Sequence, residues 1–332
     1  MAQMKYFYEL TVSGSPHAHA KTNTQTIMRD VLIALLPALA GSVYFFGLRA
    51  LMVTAISAAS AVFFEWAYRK LMKLDSTAYD LSAVVTGVLL AFVCPPTIPY
   101  WCVVLGDLFA IIVVKQLFGG IGQNFMNPAL AGRAFLFSWP VAMSTWVKVG
   151  WENAPGVLST ADAVTAATPL AAMHQGQMPA ERILDLFLGN VGGCIGETSA
   201  LLLLVGFAYL LIRRVISPRI PLAFIGTVAV IALVFPQGND RLMWTAAQLF
   251  SGGLFLGAIF MATDYVTSPV TKLGQIIFGI GCGVLTMLIR YFGGYNEGVS
   301  YAILVMNACV VLLDKIGRPK KFGAPKKEVA GK

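Results

Sequence analysis

Charge is scarce in this chain. Asp, Glu, Lys and Arg make up 12% of its 332 residues, against roughly 25% in an ordinary soluble domain, so most of its surface is not built for water. Histidine is almost missing. His17, His19 and His174 all fall in polar segments, where solvated side chains are expected. Cys94, Cys102, Cys194, Cys282 and Cys309 stand singly in or beside apolar stretches without CxxC spacing, which argues against zinc, iron–sulfur or dithiol chemistry and for reduced, buried thiols. No nucleotide-binding motif is present, so nucleotide chemistry is not expected in this chain.

Apolar sequence is what the chain has in excess. Hydrophobic residues make up 57% of it, and the mean hydropathy is +0.73. Runs long enough to cross or nearly cross a hydrocarbon layer of about 30 Å recur from end to end. The pattern predicts an all-α polytopic membrane protein of about ten transmembrane helices. The expected spans are 30–46, 51–68, 81–94, 100–114, 128–142, 194–212, 220–236, 242–262, 273–290 and 299–313.

The net charge of +8 comes from short basic clusters between those runs and in the tail, the pattern of cytoplasmic loops rather than of a nucleic-acid surface. Residues 1–29 are polar, and no cleavable signal peptide is expected there. With both termini in the cytoplasm, Lys70, Lys73, Arg213, Arg214, Arg219 and the basic tail fall inside, whereas only Arg49, Lys148, Arg182, Arg241 and Arg290 fall outside. That asymmetry sets the expected orientation. The one long polar connection, 143–182, then lies outside, and loops of that length are usually functional or disordered.

The sequence also repeats itself. Pro95 precedes Phe118-Gly119-Gly120 at the same spacing at which Pro269 precedes Phe292-Gly293-Gly294. An odd number of spans per unit inverts the second unit in the membrane. The expected layout is a cytoplasmic tail over 1–29, a five-helix repeat over 30–142, the outside loop over 143–182, a second five-helix repeat over 183–313 and a basic cytoplasmic tail over 314–332. The third span breaks at CPPTIP (94–99) and the eighth runs into TDYVTSP (263–269). Interrupted helices at membrane depth need a polar cavity or protein to satisfy their backbone, so these two segments are expected to meet at a shared central site. The plainer reading is that their prolines end helices at the interface.

The outside loop contains Asp162-Ala163-Val164-Thr165-Ala166-Ala167-Thr168-Pro169. By itself this is a small-residue stretch in which no His or Cys is placed to activate a hydroxyl. It resembles, however, the D-x-x-[ST]-[GA]-A-T signature at which a flavin transferase attaches FMN to the final Thr through a phosphoester. SPHAHAKTNTQTIMRDVLIALLPA (15–38), NFMNPALAGRAFLFSWP (124–140), GNVGGCIGETSALLLL (189–204), TDYVTSPVT (263–271) and RYFGGYNEGVSYAILVMNA (290–308) resemble the RnfD and NqrB family of membrane proteins across almost the whole chain. The short N-terminal tail and total length resemble RnfD, of the Rnf ion-translocating oxidoreductase complex, more than the longer NqrB.

The resemblance implies covalent FMN on Thr168, with Asp162 and Thr165 as part of the attachment signature, and a second, non-covalent flavin, riboflavin, between the spans. Cofactor contacts are expected from Asn124, Asn127, Arg133 and Gly196. Arg133 could instead neutralise a neighbouring acid, and the glycines around Gly196 could serve helix packing. The implied activity is electron transfer within a redox-driven pump that links reduced ferredoxin and NAD and moves Na+ or H+. No complete active site, catalytic residue or metal site is expected in this chain alone. Implied partners are the other Rnf subunits, among them a second FMN-carrying subunit and iron–sulfur subunits, together with the flavin transferase and membrane lipid. The implied location is the bacterial cytoplasmic (inner) membrane.

Glu65, Asp107, Glu197, Asp264 and Asp314 lie in or at the ends of spans, where an ionisable group is costly and rarely idle. They are candidates for an ion path. For Glu65 and Asp314 the plainer reading is surface charge beside Arg69 and Lys315. Two other functions fit the spans alone: a small-solute or ion channel on the same inverted-repeat fold, and a scaffold subunit without cofactor.

Overall fold

Residues 23–75, 77–150, 152–157, 168–238 and 240–316 are described in a computed structural model; His17, His19, Asp162 and Thr165 lie outside them. Those residues form helices and turns without a strand. The first element, α1 (Thr24–Phe46), starts at a capping box: Asn23 Oδ1 accepts from Thr26 N at 2.8 Å and Thr26 Oγ1 accepts from Asn23 N at 2.9 Å, which satisfies two otherwise orphaned donors. Gly47 ends it, and α2 (Leu48–Leu71) follows directly. Then come α3 (Ser82–Phe92) and α4 (Tyr100–Leu108), the latter continued by a π-helical stretch over Phe109–Gln116. After α5 (Pro128–Leu136) come three short helices: α6 (Pro140–Met143) at the end of the fifth expected span, α7 (Pro169–His174) in the long polar connection and α8 (Ile183–Leu188) just after it. The second half contains α9 (Ala200–Ile212), α10 (Arg219–Val234), α11 (Arg241–Phe250), α12 (Leu254–Leu256) with a π-helical continuation over Gly257–Met261, α13 (Lys272–Phe292) and α14 (Val299–Ile316).

Four helices, α1, α2, α13 and α14, are long and apolar enough to cross a bilayer, and α11 with α12 makes a fifth through a 61° bend. The helices α3, α9 and α10 are apolar but shorter. Each long helix buries one stripe: α2 turns Val53, Thr54, Ser57, Ala61 and Glu65 inward, while Phe63 and Trp66 stay exposed. Large apolar side chains on an outer surface suit lipid tails. Helix contacts within such a bundle depend on small residues, since burial of apolar area does not separate helix from lipid. On α13, a Cβ at Gly279 would stand 2.7 Å from that of Ala223 on α10, and one at Gly206 on α9 would stand 2.3 Å from the Ala34 carbonyl on α1.

Two breaks differ from the sequence reading. The CPPTIP segment is non-helical as expected, and Arg49 holds it there: its Nε donates to the Pro96 carbonyl at 2.9 Å and its Nη2 to that of Ile98 at 3.1 Å. The segment's hydrogen bonds and those of the Pro269 segment go to different partners. Thr97 Oγ1 donates to Thr145 O at 2.7 Å, whereas Gln275 Nε2 donates to Pro269 O at 3.2 Å and Val270 N to Asp314 Oδ1 at 2.9 Å. The eighth expected span, 242–262, is interrupted earlier, at Ser251-Gly252-Gly253, where Gly252 takes a left-handed φ of 71° that a side chain disfavours.

Candidate functional site

Thr168 lies in extended backbone as the residue before α7, and Pro169 occupies the first helical position, where its missing N–H costs nothing. The helix is pinned from the far end. His174 is not solvated as expected; its Nδ1 lies 2.8 Å from the Arg290 carbonyl, and Leu170 and Met173 are buried beside it. Thr168 consequently sits at the rim of a cavity of about 200 Å³, shared with Arg133, Trp146, Gly193, Glu197, Phe250, Ser251 and Tyr295.

The charged floor of this cavity comes from four separate segments. Arg133 on α5 donates through Nη1 to Glu197 Oε1 at 3.1 Å and Ser300 Oγ at 2.8 Å, and through Nη2 to Glu297 Oε2 at 2.6 Å. Two carboxylates against one guanidinium leave the cluster one negative charge in excess when both are ionised, in a place almost closed to solvent. Glu297 gains a further donor, Gly253 N at 2.8 Å. The helix break is part of the site. A Cβ on Gly253 would come within 2.4 Å of Glu197 Oε1 and 2.6 Å of Glu297 Oε1, so the two acids converge where the chain has no side chain. Two buried donors in the wall, Arg133 Nε and Ser251 Oγ, have no hydrogen-bond partner among the described residues; such groups are uncommon in native interiors and ask for an acceptor.

Gly196 is placed behind this wall. Its N–H donates to Phe92 O at 2.9 Å and its missing side chain makes room for the Phe92 ring, which is the packing alternative for that glycine. Asn124 and Asn127 go elsewhere. They line a second cavity of about 270 Å³ with Thr24, Met28, Ser82, Lys115, Asp264 and Tyr265. Asn127 also caps α5, accepting from Ala129 N at 3.0 Å, and donates to Met261 O at 3.2 Å. Asp264 accepts from Thr267 Oγ1 at 3.0 Å.

The remaining acids separate. Glu65 is not a surface charge: it is buried and accepts from Lys115 Nζ at 2.8 Å and Thr77 Oγ1 at 2.6 Å. Asp314 is half-buried and caps the turn before α13 through Val270 N and Thr271 N. Asp107 is enclosed between α2 and α4, bonded to Ser57 and Ser60. The sequence reading overlooked Glu297 and Ser251, and it had placed Arg290, which is buried and donates to the Gln248 and Ser251 carbonyls, in the outer loops. An acid two residues after FGGY, inside a glycine-rich turn between two apolar helices, was the available signal for Glu297.

From residue 11 to residue 323 the chain matches the NQR2, RnfD, RnfE family. It belongs to that family. It is similar to the D component of the Na(+)-translocating ferredoxin:NAD(+) oxidoreductase complex of Acetobacterium woodii, at 50% identity over 96% of each chain. It is also similar to the D component of the proton-translocating ferredoxin:NAD(+) oxidoreductase complex of Clostridium ljungdahlii, at 44% identity over 94% of this chain and 96% of that one. The D component of the ion-translocating oxidoreductase complex of Stutzerimonas stutzeri is 40% identical over 91% and 93%. These NQR2, RnfD, RnfE relatives are subunits of ion-translocating oxidoreductases. One is named for Na+ and another for protons.

Proposed function

We propose that this chain is the flavin-carrying membrane subunit of an Rnf-type pump, passing electrons between its ferredoxin and NAD branches and coupling their passage to Na+ or H+ translocation. The observation that supports this best is where Thr168 lies. The last residue of the flavin-attachment-like signature opens onto a cavity whose wall holds two buried donors without partners, Arg133 Nε and Ser251 Oγ. The edge of a flavin ring is rich in acceptors, so the donor set fits. Phe137, Trp146, Phe250 and Tyr295 supply flat apolar walls of the kind an aromatic ring packs against.

FMN joined to Thr168 through its phosphate supplies a ring that accepts and gives single electrons. The chain's own residues do the rest. Arg133 presents a fixed cation and a free N–H, Glu197 and Glu297 hold that guanidinium in one orientation, and the pinned α7 keeps the attachment point at the rim. Riboflavin is assigned to the second cavity, where the amides of Asn124 and Asn127 and the hydroxyls of Thr24 and Ser82 offer both donors and acceptors.

The same reading gives the chain about ten spans in two inverted halves with both termini cytoplasmic. It is supported by the pairing of α1 with α9 and of α5 with α14, which are the corresponding elements of the two repeats. NAD and ferredoxin are left to partner subunits, among them a second FMN-carrying subunit and iron–sulfur subunits, and attachment is left to a flavin transferase. The location is the bacterial cytoplasmic membrane.

Protein made together with its transferase should fluoresce under ultraviolet light on a denaturing gel. Peptide mass spectrometry should place the FMN mass on Thr168. Thr168→Ala should still insert, because a rim residue contributes little packing, but should lose the fluorescence entirely. FMN mass on another residue, or none on the native protein, would remove the proposal.

A further inference from the structure

Most buried acids of this chain face a cation. Glu65 has Lys115, Glu197 and Glu297 share Arg133, and Asp30 has Arg213. Asp107 does not. It sits in α4 with no exposed surface, and its only hydrogen-bond partners among the described residues are two hydroxyls of α2, Ser57 Oγ at 3.0 Å from Oδ1 and Ser60 Oγ at 2.6 Å from Oδ2. Those hydroxyls are already in demand. Ser57 Oγ is 2.7 Å from the Gly87 carbonyl on α3, and Ser60 Oγ is 3.1 Å from the Ser57 carbonyl. Each serine has one proton to give, so two protons face the two carboxylate oxygens and two carbonyls. With the Ser57 proton on its shorter contact, to Gly87, Oδ1 of Asp107 is left facing an oxygen with no proton between them. An ionised carboxylate so placed inside a membrane is costly unless something positive completes the group.

The neighbouring charges are committed elsewhere. On α2 and the π-helical stretch after α4, Glu65 and Lys115 are bonded to each other, and Arg49 of α2 is held by the Pro96 and Ile98 carbonyls. At the start of α3 Asp80 accepts from Ser82, and on α5 Arg133 is held by Glu197 and Glu297. The thiols of Cys94 and Cys102 are buried at the other end of α3 and α4. The backbone around Asp107 is also unusual. The π-helical stretch begins at Phe109, and such widened turns are frequent at functional sites. Helix α3 approaches closely because residue 87 is glycine: a Cβ there would stand 2.6 Å from the Ser57 carbonyl. On α2, Ser57, Ser60 and Glu65 lie along the side that faces α4, so Asp107 and the Glu65–Lys115 pair occupy one polar line, and Lys115 lines the second cavity.

We propose that Asp107, with the hydroxyls of Ser57 and Ser60 and the carbonyls of Ser57 and Gly87, is a binding site for one hard monovalent cation, a proton or Na+, at the α2–α3–α4 contact. The site lies on the path of the translocated ion. This deepens the pump reading above and rests on its ion-moving half, not on its flavin.

The test uses the whole complex in liposomes, with cation uptake measured per electron passed from ferredoxin to NAD, beside covalent flavin fluorescence in the same samples. Asp107→Asn should assemble and keep its fluorescence. Its cation uptake per electron should fall, with half-activation by the cation shifted by about tenfold or more, the scale on which the loss of a metal-site partner is felt. Ser60→Ala, which keeps the carboxylate, should move the same dependence in the same direction if Asp107→Asn fails to assemble. Labelling of wild-type Asp107 by a hydrophobic carbodiimide, read by peptide mass spectrometry, tells the cations apart. Protection by NaCl but not KCl assigns Na+, and labelling that ignores sodium but falls with rising pH assigns a proton. Wild-type uptake per electron, with unchanged sodium and pH dependence, in an assembled Asp107→Asn or Ser60→Ala complex would overturn the proposal. Absence of flavin from Thr168 in those samples would overturn the flavin reading instead.

Discussion

At the scale of single residues, Arg133 organises more of the molecule than any other side chain in the Thr168 cavity. It joins α5 to the segment before α9 through Glu197, to the turn before α14 through Glu297 and to α14 itself through Ser300. Removing the guanidinium leaves two buried carboxylates without their cation, and breaking a buried pair in this way costs about 3–5 kcal/mol. Arg133→Leu is therefore expected to lower the melting temperature of the detergent-purified protein sharply. Adding Glu297→Gln to Arg133→Leu should recover part of the loss, because one of the stranded charges is gone. A single variant that melts like the wild type would mean that solvent already compensates these acids. The sequence showed Arg133 and Glu197 as charges in apolar surroundings and left open whether the arginine serves an acid or a cofactor. The structure has it bonded to two acids, which is the neutralising role, with Nε left without a partner among the described residues.

Among the elements, the decisive one is the interrupted helix formed by α11 and α12. Its bend of 61° is placed by Gly252, whose positive φ suits glycine, and its inner face is opened by Gly253, which stands against both carboxylates. Gly253→Ala should push Glu197 and Glu297 off Arg133, and overpacking of this kind costs roughly 1–3 kcal/mol. The expected result is a lowered melting temperature, together with covalent flavin whose fluorescence is more easily quenched by added iodide. Unchanged quenching and stability would show that the acids can shift at no cost. The sequence pointed to proline as the breaker in both halves. That held for CPPTIP, where the chain leaves the helix ahead of its prolines. In the second half the chain also leaves the helix at TDYVTSP, and a serine and two glycines add an earlier break, because a turn that must admit two carboxylates needs the absence of a side chain more than a fixed φ.

For the molecule as a whole, the claim open to test is its placement in the membrane. A reporter enzyme active only outside the cytoplasm, fused near Gln175, is expected to work, and the same reporter after Lys332 is expected to be silent; the reverse pattern would invert every assignment of side. Family membership and the all-helical character were legible in the sequence, since hydropathy and long motif blocks are local properties that survive without coordinates. The signature ending at Thr168 was visible for the same reason, because it is contiguous. Partnerships were not legible. Glu197 and Glu297, Lys115 and Glu65, and Asp107 and its serines are far apart in the chain, and nothing in the spacing of a charge says which distant helix will supply its partner. What the sequence determined by itself is the solvent this chain folds in and the family it belongs to. What only tertiary structure decided is which buried charges cancel and which, Asp107 among them, have no cation partner among the described residues, because that balance depends on the packing of helices drawn from different parts of the chain.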